Sequence, residues 1–308
     1  MPNLHKGSAR HVKEFGYSLA ALRENNMSEA VVYLNGELLP LSEARVPVLD
    51  RGFIFGDGIY EVIPLYNGKP FRGTQHLARL ARSLASIGIP NPYAETEWLE
   101  LIDRVVKANG LGDQMVYMQV TRGVAKRAHA FPKEVTPTVL IMTNPMALPP
   151  SASVEQGVAC VTMEDRRWLN CQIKSTSLLG NVLAAQVAAE AGVTEAIQFR
   201  DGCLTEASSS NVWIVSKGHV AAPPKDNLIL EGIRYGLMEE LCAALDISLQ
   251  ARRIMRDEVF SADEVMISSA SKELLPVVTI DGKTIGTGRP GPVFQRLYAA
   301  YQAAKAAL

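Results

Sequence analysis

Three groups of residues in this sequence carry side chains suited to chemistry. Lys174 stands in Cys171-Gln172-Ile173-Lys174-Ser175-Thr176-Ser177, between a short apolar strand end and the start of a helix. An amine held among apolar neighbours keeps its lone pair free to attack a carbonyl, which is what a Schiff-base lysine requires. The other reading of the segment is a surface lysine whose stem covers apolar area while its head reaches water. The second group is Leu204-Thr205-Glu206-Ala207-Ser208-Ser209-Ser210-Asn211-Val212-Trp213. Alone it reads as a solvated serine turn beside a surface charge, placed between two strands. Beside Lys174 it fits a pyridine-type cofactor, which needs a carboxylate to keep its ring nitrogen protonated and small hydroxyls around the ring.

The third group lies in Val120-Thr121-Arg122-Gly123-Val124-Ala125-Lys126-Arg127-Ala128-His129-Ala130-Phe131-Pro132. Arg127 and His129 alternate around one residue, so an extended loop puts both on one side. A guanidinium fork matches a carboxylate through two bonds, and an imidazole adds a donor. With Lys126 beside them, the same residues also read as a solvated basic loop.

These groups need elements to hold them. Val31 to Leu39 around Asn35-Gly36, and Ile59 to Phe71 around Asn67-Gly68, read as β-hairpins, because Asn-Gly supplies the positive φ angles of a type I′ turn. Leu77, Leu80, Leu84 and Ile87 recur at helical spacing, which predicts a helix over Thr74 to Ile87 behind a Thr cap, ending at Gly88. A second helix is predicted over Ala94 to Asn109, with strands at Met115 to Thr121 and Thr138 to Thr143. The proline-rich stretch Asn144 to Ser151 reads as a linker, since adjacent prolines continue neither a helix nor a central strand. Beyond it, strands are expected at Val154 to Met163, Glu195 to Arg200, Asn211 to Val215, Ser248 to Ile254 and Glu264 to Ser268. Helices are expected at Ser177 to Ala191, Ile233 to Ala244 and Val293 to Ala307. The class is α+β with antiparallel hairpins. Neither G-x-G-x-x-G nor G-x-x-x-x-G-K-[ST] occurs, which argues against a dinucleotide or P-loop fold.

The composition agrees with an enzyme. The chain has 308 residues, enough for two domains at about 150 residues each. These are expected at 30–143, a small N-terminal α/β domain, and 152–308, a larger one carrying Lys174, after a polar N-terminal extension over 1–29. Lys plus Arg number 31 against 32 Asp plus Glu, a balance that argues against nucleic-acid or membrane-surface binding. No apolar run approaches the roughly 20 residues of a membrane span, and the N-terminal stretch lacks the apolar core of a secretory signal, so a cytoplasmic location is expected. Cys160, Cys171, Cys203 and Cys242 form no C-x-x-C pair and read as small buried hydrophobes rather than as a disulfide framework or metal ligands, and no metal site is expected.

Three ordered motifs together resemble the fold type IV pyridoxal-phosphate enzymes, a family that includes branched-chain and D-amino acid aminotransferases and aminodeoxychorismate lyase. They are Pro47-x-x-Asp50-Arg51-Gly52-Phe53-x-Phe55-Gly56-Asp57-Gly58-Ile59-Tyr60-Glu61, Ile173-Lys174-Ser175 with Leu178-Leu179-Gly180-Asn181, and Thr205-Glu206-x-Ser208-Ser209-Ser210-Asn211. The resemblance covers Val31 to the C-terminus. It implies a two-domain fold with pyridoxal 5′-phosphate in the cleft, held as an aldimine by Lys174, with Glu206 on the pyridine nitrogen, Ser209 and Ser210 beside the cofactor, and Leu230 against the ring. It assigns the phosphate to Arg79, in His76-Leu77-Ala78-Arg79-Leu80, and to the backbone N–H groups of Ile233 and Arg234. The family's phosphate-binding threonine aligns with Ala270, leaving Ser269 or Ser271 to substitute.

Arg-Ala-His-x-Phe-Pro after Thr-Arg-Gly resembles the D-amino acid aminotransferases in particular. That likeness implies a homodimer in which Arg127 and His129 of one subunit join Tyr60 of the other to hold the substrate α-carboxylate. The implied reaction is ping-pong transamination, with D-alanine and 2-oxoglutarate giving pyruvate and D-glutamate. Branched-chain aminotransferase, (R)-amine transaminase, aminodeoxychorismate lyase and a non-catalytic pyridoxal-phosphate binder remain the alternatives.

Overall fold

In the computed structural model, which describes residues 30–110 and 112–308, two Asn-Gly pairs set the first sheet. The extension over 1–29 lies outside the described residues. Asn35 and Gly36, at φ 50° and 108°, turn β1 (Val31–Leu34) into β2 (Glu37–Pro40), and Asn67 and Gly68, at φ 50° and 75°, turn β3 (Gly58–Tyr66) into β4 (Lys69–Pro70). Both predicted hairpins therefore form. With β5 (Gln114–Thr121) and β6 (Thr138–Pro145) they make an antiparallel six-stranded sheet in the order β2-β1-β6-β5-β3-β4.

A five-residue helix, α1 (Arg51–Phe55), precedes β3, and α2 (Gly73–Ser86) and α3 (Glu95–Ala108) cover the sheet. Leu77, Leu80 and Leu84 of α2 and Trp98, Ile102 and Val105 of α3 close over Ile59, Ile63, Val116 and Met118. Thr74 is not the cap of α2. The helix starts at Gly73 after Arg72, which sits at φ 60° with its guanidinium on both oxygens of Glu240, at 2.8 and 2.6 Å. A tie to a distant residue replaces the local cap.

The proline-rich stretch is shorter than its sequence suggests. Strand β6 runs on through Pro145, where a missing N–H costs little at a strand end, and α4 (Ser151–Glu155) begins at once. The strand expected from Val154 therefore starts only at β7 (Val158–Glu164), after Gly157 turns the chain at φ 82°. The helix expected from Ser177 starts later as well, as α5 (Leu179–Glu190), because the hydroxyls of Thr176 and Ser177 donate to the carbonyl of Gly56 at 2.9 and 3.0 Å.

The second sheet contains β7, β8 (Glu195–Arg200), β9 (Cys203–Ala207), β10 (Asn211–Ser216), β11 (His219–Ala222), β12 (Leu249–Ala251), β13 (Glu264–Ser269) and β14 (Glu273–Ile280), in the order β12-β11-β10-β13-β14-β7-β8-β9, with β15 (Lys283–Thr284) paired to β14. Pairs β7–β8, β7–β14 and β11–β12 are parallel, so the hairpin pattern read from the sequence is incomplete. The sheet is buried on both faces. Trp213 and Val215 pack with α6 (Ile233–Ala244) and α8 (Pro292–Ala306), while the alternating Val212 and Ile214 pack on the opposite side, near Val259 of α7 (Arg256–Phe260). Tyr66 and Phe71 from the first sheet's β3–β4 hairpin enter the α6–α8 cluster and join the two halves. No helix among the described residues is long and apolar enough to cross a membrane.

Candidate active site

The start of β3 holds the lysine. The Tyr60 N–H donates to the Lys174 carbonyl at 3.0 Å, the Thr176 N–H donates to the Gly58 carbonyl at 2.9 Å, and Ile59 pairs with Ser175 in an isolated bridge. The chain around Lys174 thus lies as a short ribbon along β3. Its ammonium sits 4.0 Å from the centre of the Tyr60 ring, which stacks on Tyr117 at 5.8 Å. Tyr60 and Lys174 border a cavity of about 570 Å³ between the two sheets, large enough for a substituted pyridine with a substrate attached.

One end of this cavity is positively charged. Arg79 is buried and donates from Nε and Nη2 to the two oxygens of Glu61 at 2.7 and 2.8 Å, and from Nη1 to the Glu231 carbonyl at 2.9 Å. Burial alone would raise the Glu61 carboxyl, but Arg79 and His76 hold it well below the usual carboxylate range. Burial pushes His76 down to about 4, even though its Nδ1 meets Glu61 at 2.8 Å, so the imidazole is neutral at pH 7. Helix α6 begins here after Gly232 without a side-chain cap, which leaves the first N–H groups, at Ile233 and Arg234, facing outward along the axis. Any Cβ on Gly232 would fall 2.2 Å from Asn211 Oδ1, so the close approach requires glycine. Among the described residues, buried His76 Nε2 and Arg234 Nη1 and Nη2 have no hydrogen-bond partner. Buried Arg79 and Arg234 thus both border the cavity at a helix N-terminus, a concentration of positive charge that suits a phosphate.

The other end carries Glu206, which is buried inside β9 rather than on a turn, with only Ser208 to Ser210 turning the chain. It accepts from the Leu230 N–H at 3.0 Å, from Asn211 Nδ2 at 3.3 Å and from Arg167. Arg167 is shared, because Asp165 takes its Nε and Nη2 at 2.9 and 2.8 Å. Burial therefore wins at Glu206 and pushes its carboxyl up to about 7. A buried carboxylate short of positive charge is a fit partner for a protonated ring nitrogen. Lys174, Glu206 and Arg79 on one cavity thus match the donor set of pyridoxal phosphate.

Ser209, Ser210, Leu230, Ser269 and Ser271 also line the cavity. The hydroxyls of Ser208, Ser209 and Ser210 are all taken by Glu195, whose carboxylate also meets Lys272 at 2.9 Å. Lys272 in turn donates to Ser209 at 2.9 Å, and its own N–H donates to Ser269 Oγ at 3.0 Å. The Ser208–Ser210 turn and the loop around Ala270 are therefore fixed by one buried carboxylate that the sequence reading had not singled out.

Arg127 and His129 are the predicted site residues that do not border the cavity in this chain. They lie exposed near Phe55, with the Arg127 guanidinium 5.4 Å and the His129 ring 5.6 Å from its centre. Their loop is tied to the segment before β3 by Arg51 and by Arg122, which both bind Asp57. Glu61, His76, Arg167, Glu195 and Lys272 complete the site without having been assigned from sequence. Glu61 had a signal: it falls between Ile59 and Ile63 on the buried face of a strand, where a carboxylate needs a partner.

Known proteins resemble the chain over most of its length. Residues 58–280 match the Amino-transferase class IV family. A D-alanine aminotransferase of Bacillus licheniformis is 42% identical over 271 residues, 88% of this chain and 95% of the relative. Among solved structures, the branched-chain amino acid aminotransferase of Escherichia coli superposes with a TM-score of 0.85 at 25% identity, covering 90% of this chain and 94% of that one. The branched-chain enzyme of Thermoproteus uzoniensis, solved with norvaline, gives 0.82 at 28% identity, over 89% and 94% of the two chains.

Proposed function

The chain belongs to the amino-transferase class IV family, and we propose that it carries out pyridoxal-phosphate-dependent transamination between a D-amino acid and a 2-oxo acid, with D-alanine and 2-oxoglutarate giving pyruvate and D-glutamate as the pair. The observation that carries this reading is the convergence of the Lys174 amine, the Glu206 carboxylate and the Arg79 guanidinium on one cavity. Bound pyridoxal phosphate supplies the carbonyl that takes the amino group and the ring that accepts the electron pair left at the substrate Cα.

The protein's own residues do the rest. Arg79 and the N–H groups of Ile233 and Arg234 bind the phosphate, Leu230 packs on the ring, and Glu206 holds a proton at the ring nitrogen. Ser209, Ser210, Ser269 and Ser271 shape the cavity wall around the cofactor. Lys174 holds the cofactor covalently at rest and, once released, takes the α-proton as base and returns it as acid. Arg127 and His129 of the partner subunit, with Tyr60, hold the substrate α-carboxylate. An L-amino acid offering its α-proton to Lys174 would exchange carboxylate and side chain and carry its carboxylate away from Tyr60, Arg127 and His129.

A homodimer follows from this reading, since Arg127 and His129 stand outside the cavity of their own chain. Apolar side chains that water would otherwise meet support it, among them Phe53 and Phe131 near the Arg127 loop and Leu179, Val182 and Leu183 on α5. The two sheets form the two domains, with the stretch from Met146 to Pro150 between them. All four cysteines are free, in keeping with a cytoplasmic enzyme.

The experiment is spectroscopic and kinetic. The purified protein loaded with pyridoxal phosphate should show a visible absorption band that Lys174→Ala abolishes, and should convert D-alanine with 2-oxoglutarate but not L-alanine. A colourless protein that does not take up pyridoxal phosphate would overturn the reading.

A further inference from the structure

The loop carrying Arg127 and His129 has neither strand nor helix of its own, and Lys126 to Phe131 are exposed. What fixes its backbone is a buried guanidinium. Arg51 is 3% exposed, and donates from Nη1 to the Ala128 carbonyl at 2.6 Å and from Nη2 to the His129 carbonyl at 3.3 Å, while its Nε binds Asp57 Oδ2 at 2.7 Å. Arg122 shares Asp57, donating from Nε to the same Oδ2 at 2.8 Å and from Nη2 to Oδ1 at 3.0 Å, and anchors itself on the carbonyls of Ile87 and Gly88 at 2.7 and 3.1 Å. Its guanidinium carbon lies 3.6 Å from the centre of the Phe131 ring at the loop's far end. Phe55, one turn after Arg51 on α1, lies 4.8 Å from the Arg51 guanidinium, and 5.4 and 5.6 Å from the Arg127 guanidinium and the His129 ring.

We propose that Arg51 is a positioning residue for recognition of the substrate carboxylate, acting through Asp57 and the 128–129 carbonyls to fix the backbone on which Arg127 and His129 stand. This rests on the reading of those two residues as the carboxylate trap. The physical requirement is a planar fork. Two carbonyls of successive residues diverge, and a guanidinium meets both while keeping a third donor on Asp57, whereas an ammonium is a single point charge. A loop left to order itself on binding would weaken the hold on the carboxylate equally in the bound substrate and in the transition state. The loss then falls on KM and leaves kcat in place.

The test uses Arg51→Lys in the loaded enzyme, alone and combined with Arg127→Ala and His129→Ala. Alone, it should raise the D-alanine KM about tenfold, leave kcat within about twofold, and leave pyridoxal phosphate content and the visible band unchanged. Combined with the two alanine changes it should add nothing, because its effect runs through residues already removed. A KM increase of the same factor in both backgrounds, or a loss of cofactor in place of a KM change, overturns the proposal. If Arg51→Lys does not fold, Arg122→Lys carries the same expectation, since it loosens the Asp57 carboxylate that Arg51 shares. A D-alanine KM that Arg127→Ala and His129→Ala leave unchanged overturns the carboxylate trap itself and the proposal with it.

Discussion

Glu206 should make the cofactor-free protein less stable as the pH rises. Its folded carboxyl holds its proton to about 7, against an ordinary 4.5, so between these values the folded chain keeps a proton that the unfolded chain releases. The contribution is present below about pH 4.5 and lost by about pH 7. At about 1.4 kcal/mol per pH unit, the gap amounts to roughly 3 kcal/mol, most of it between pH 5 and pH 8. His76 acts in the opposite direction. Its folded value of about 4 lies below the ordinary 6.5, so it adds stability as the pH climbs from about 4 to 6.5 and hides the slope in the wild type. The difference between wild type and Glu206→Gln removes the His76 contribution. Urea unfolding at pH 5 and pH 8, at one protomer concentration, should show the stability difference between the two proteins shifting by about 2–3 kcal/mol against the wild type at the higher pH. Pyridoxal phosphate should flatten that shift by placing a ring N–H against the carboxylate. An equal pH response in both proteins would refute the argument, because Glu206 would then be ionised without any ring proton beside it.

Two further outcomes follow from the same site. Glu61→Gln leaves the buried Arg79 guanidinium without its carboxylate and should cost the cofactor-free protein about 3–5 kcal/mol in urea unfolding, with part of the loss recovered on adding inorganic phosphate. Inactive Lys174→Ala protein mixed in equal amounts with protein carrying Arg127→Ala and His129→Ala, at a D-alanine concentration too low for the second protein alone to turn over, should after subunit exchange regain about a quarter of wild-type activity. Half of the dimers are then mixed, and each mixed dimer has one intact site. No recovery after demonstrated exchange would place the carboxylate trap within a single chain.

How far the sequence could be read depended on whether each residue's partner was near. The Asn-Gly hairpins, the run of α2 and the limits of α6 were legible because turn chemistry and helical spacing are local. Arg72 was not, since the carboxylate that holds it is 168 residues away. The same holds for the site. Lys174, Glu206 and Arg79 could be singled out by type and motif, whereas the buried supports could not. Arg167 reaches Glu206 across 39 residues, and Arg51 reaches Ala128 across 77. Ser209 and Ser210 were legible as cavity residues, but not the Glu195 carboxylate that takes up their hydroxyls. Glu61 went unassigned too, although its place between two inward isoleucines is a local signal for a paired carboxylate.

The stretch from Arg51 to Tyr60 touches both the ribbon around Lys174, through the Tyr60 N–H on Lys174 and the Gly58 carbonyl on Thr176, and the loop of Arg127 and His129, through Arg51. In a dimer that exchanges those loops, these ten residues answer to two reaction centres at once, their own lysine and the neighbouring subunit's substrate. For redirecting the enzyme to new amino donors this divides the map. The outward side chains of the 126–131 loop are open to randomised libraries, whereas the stretch beneath them should be left as it is, since its contacts serve both centres.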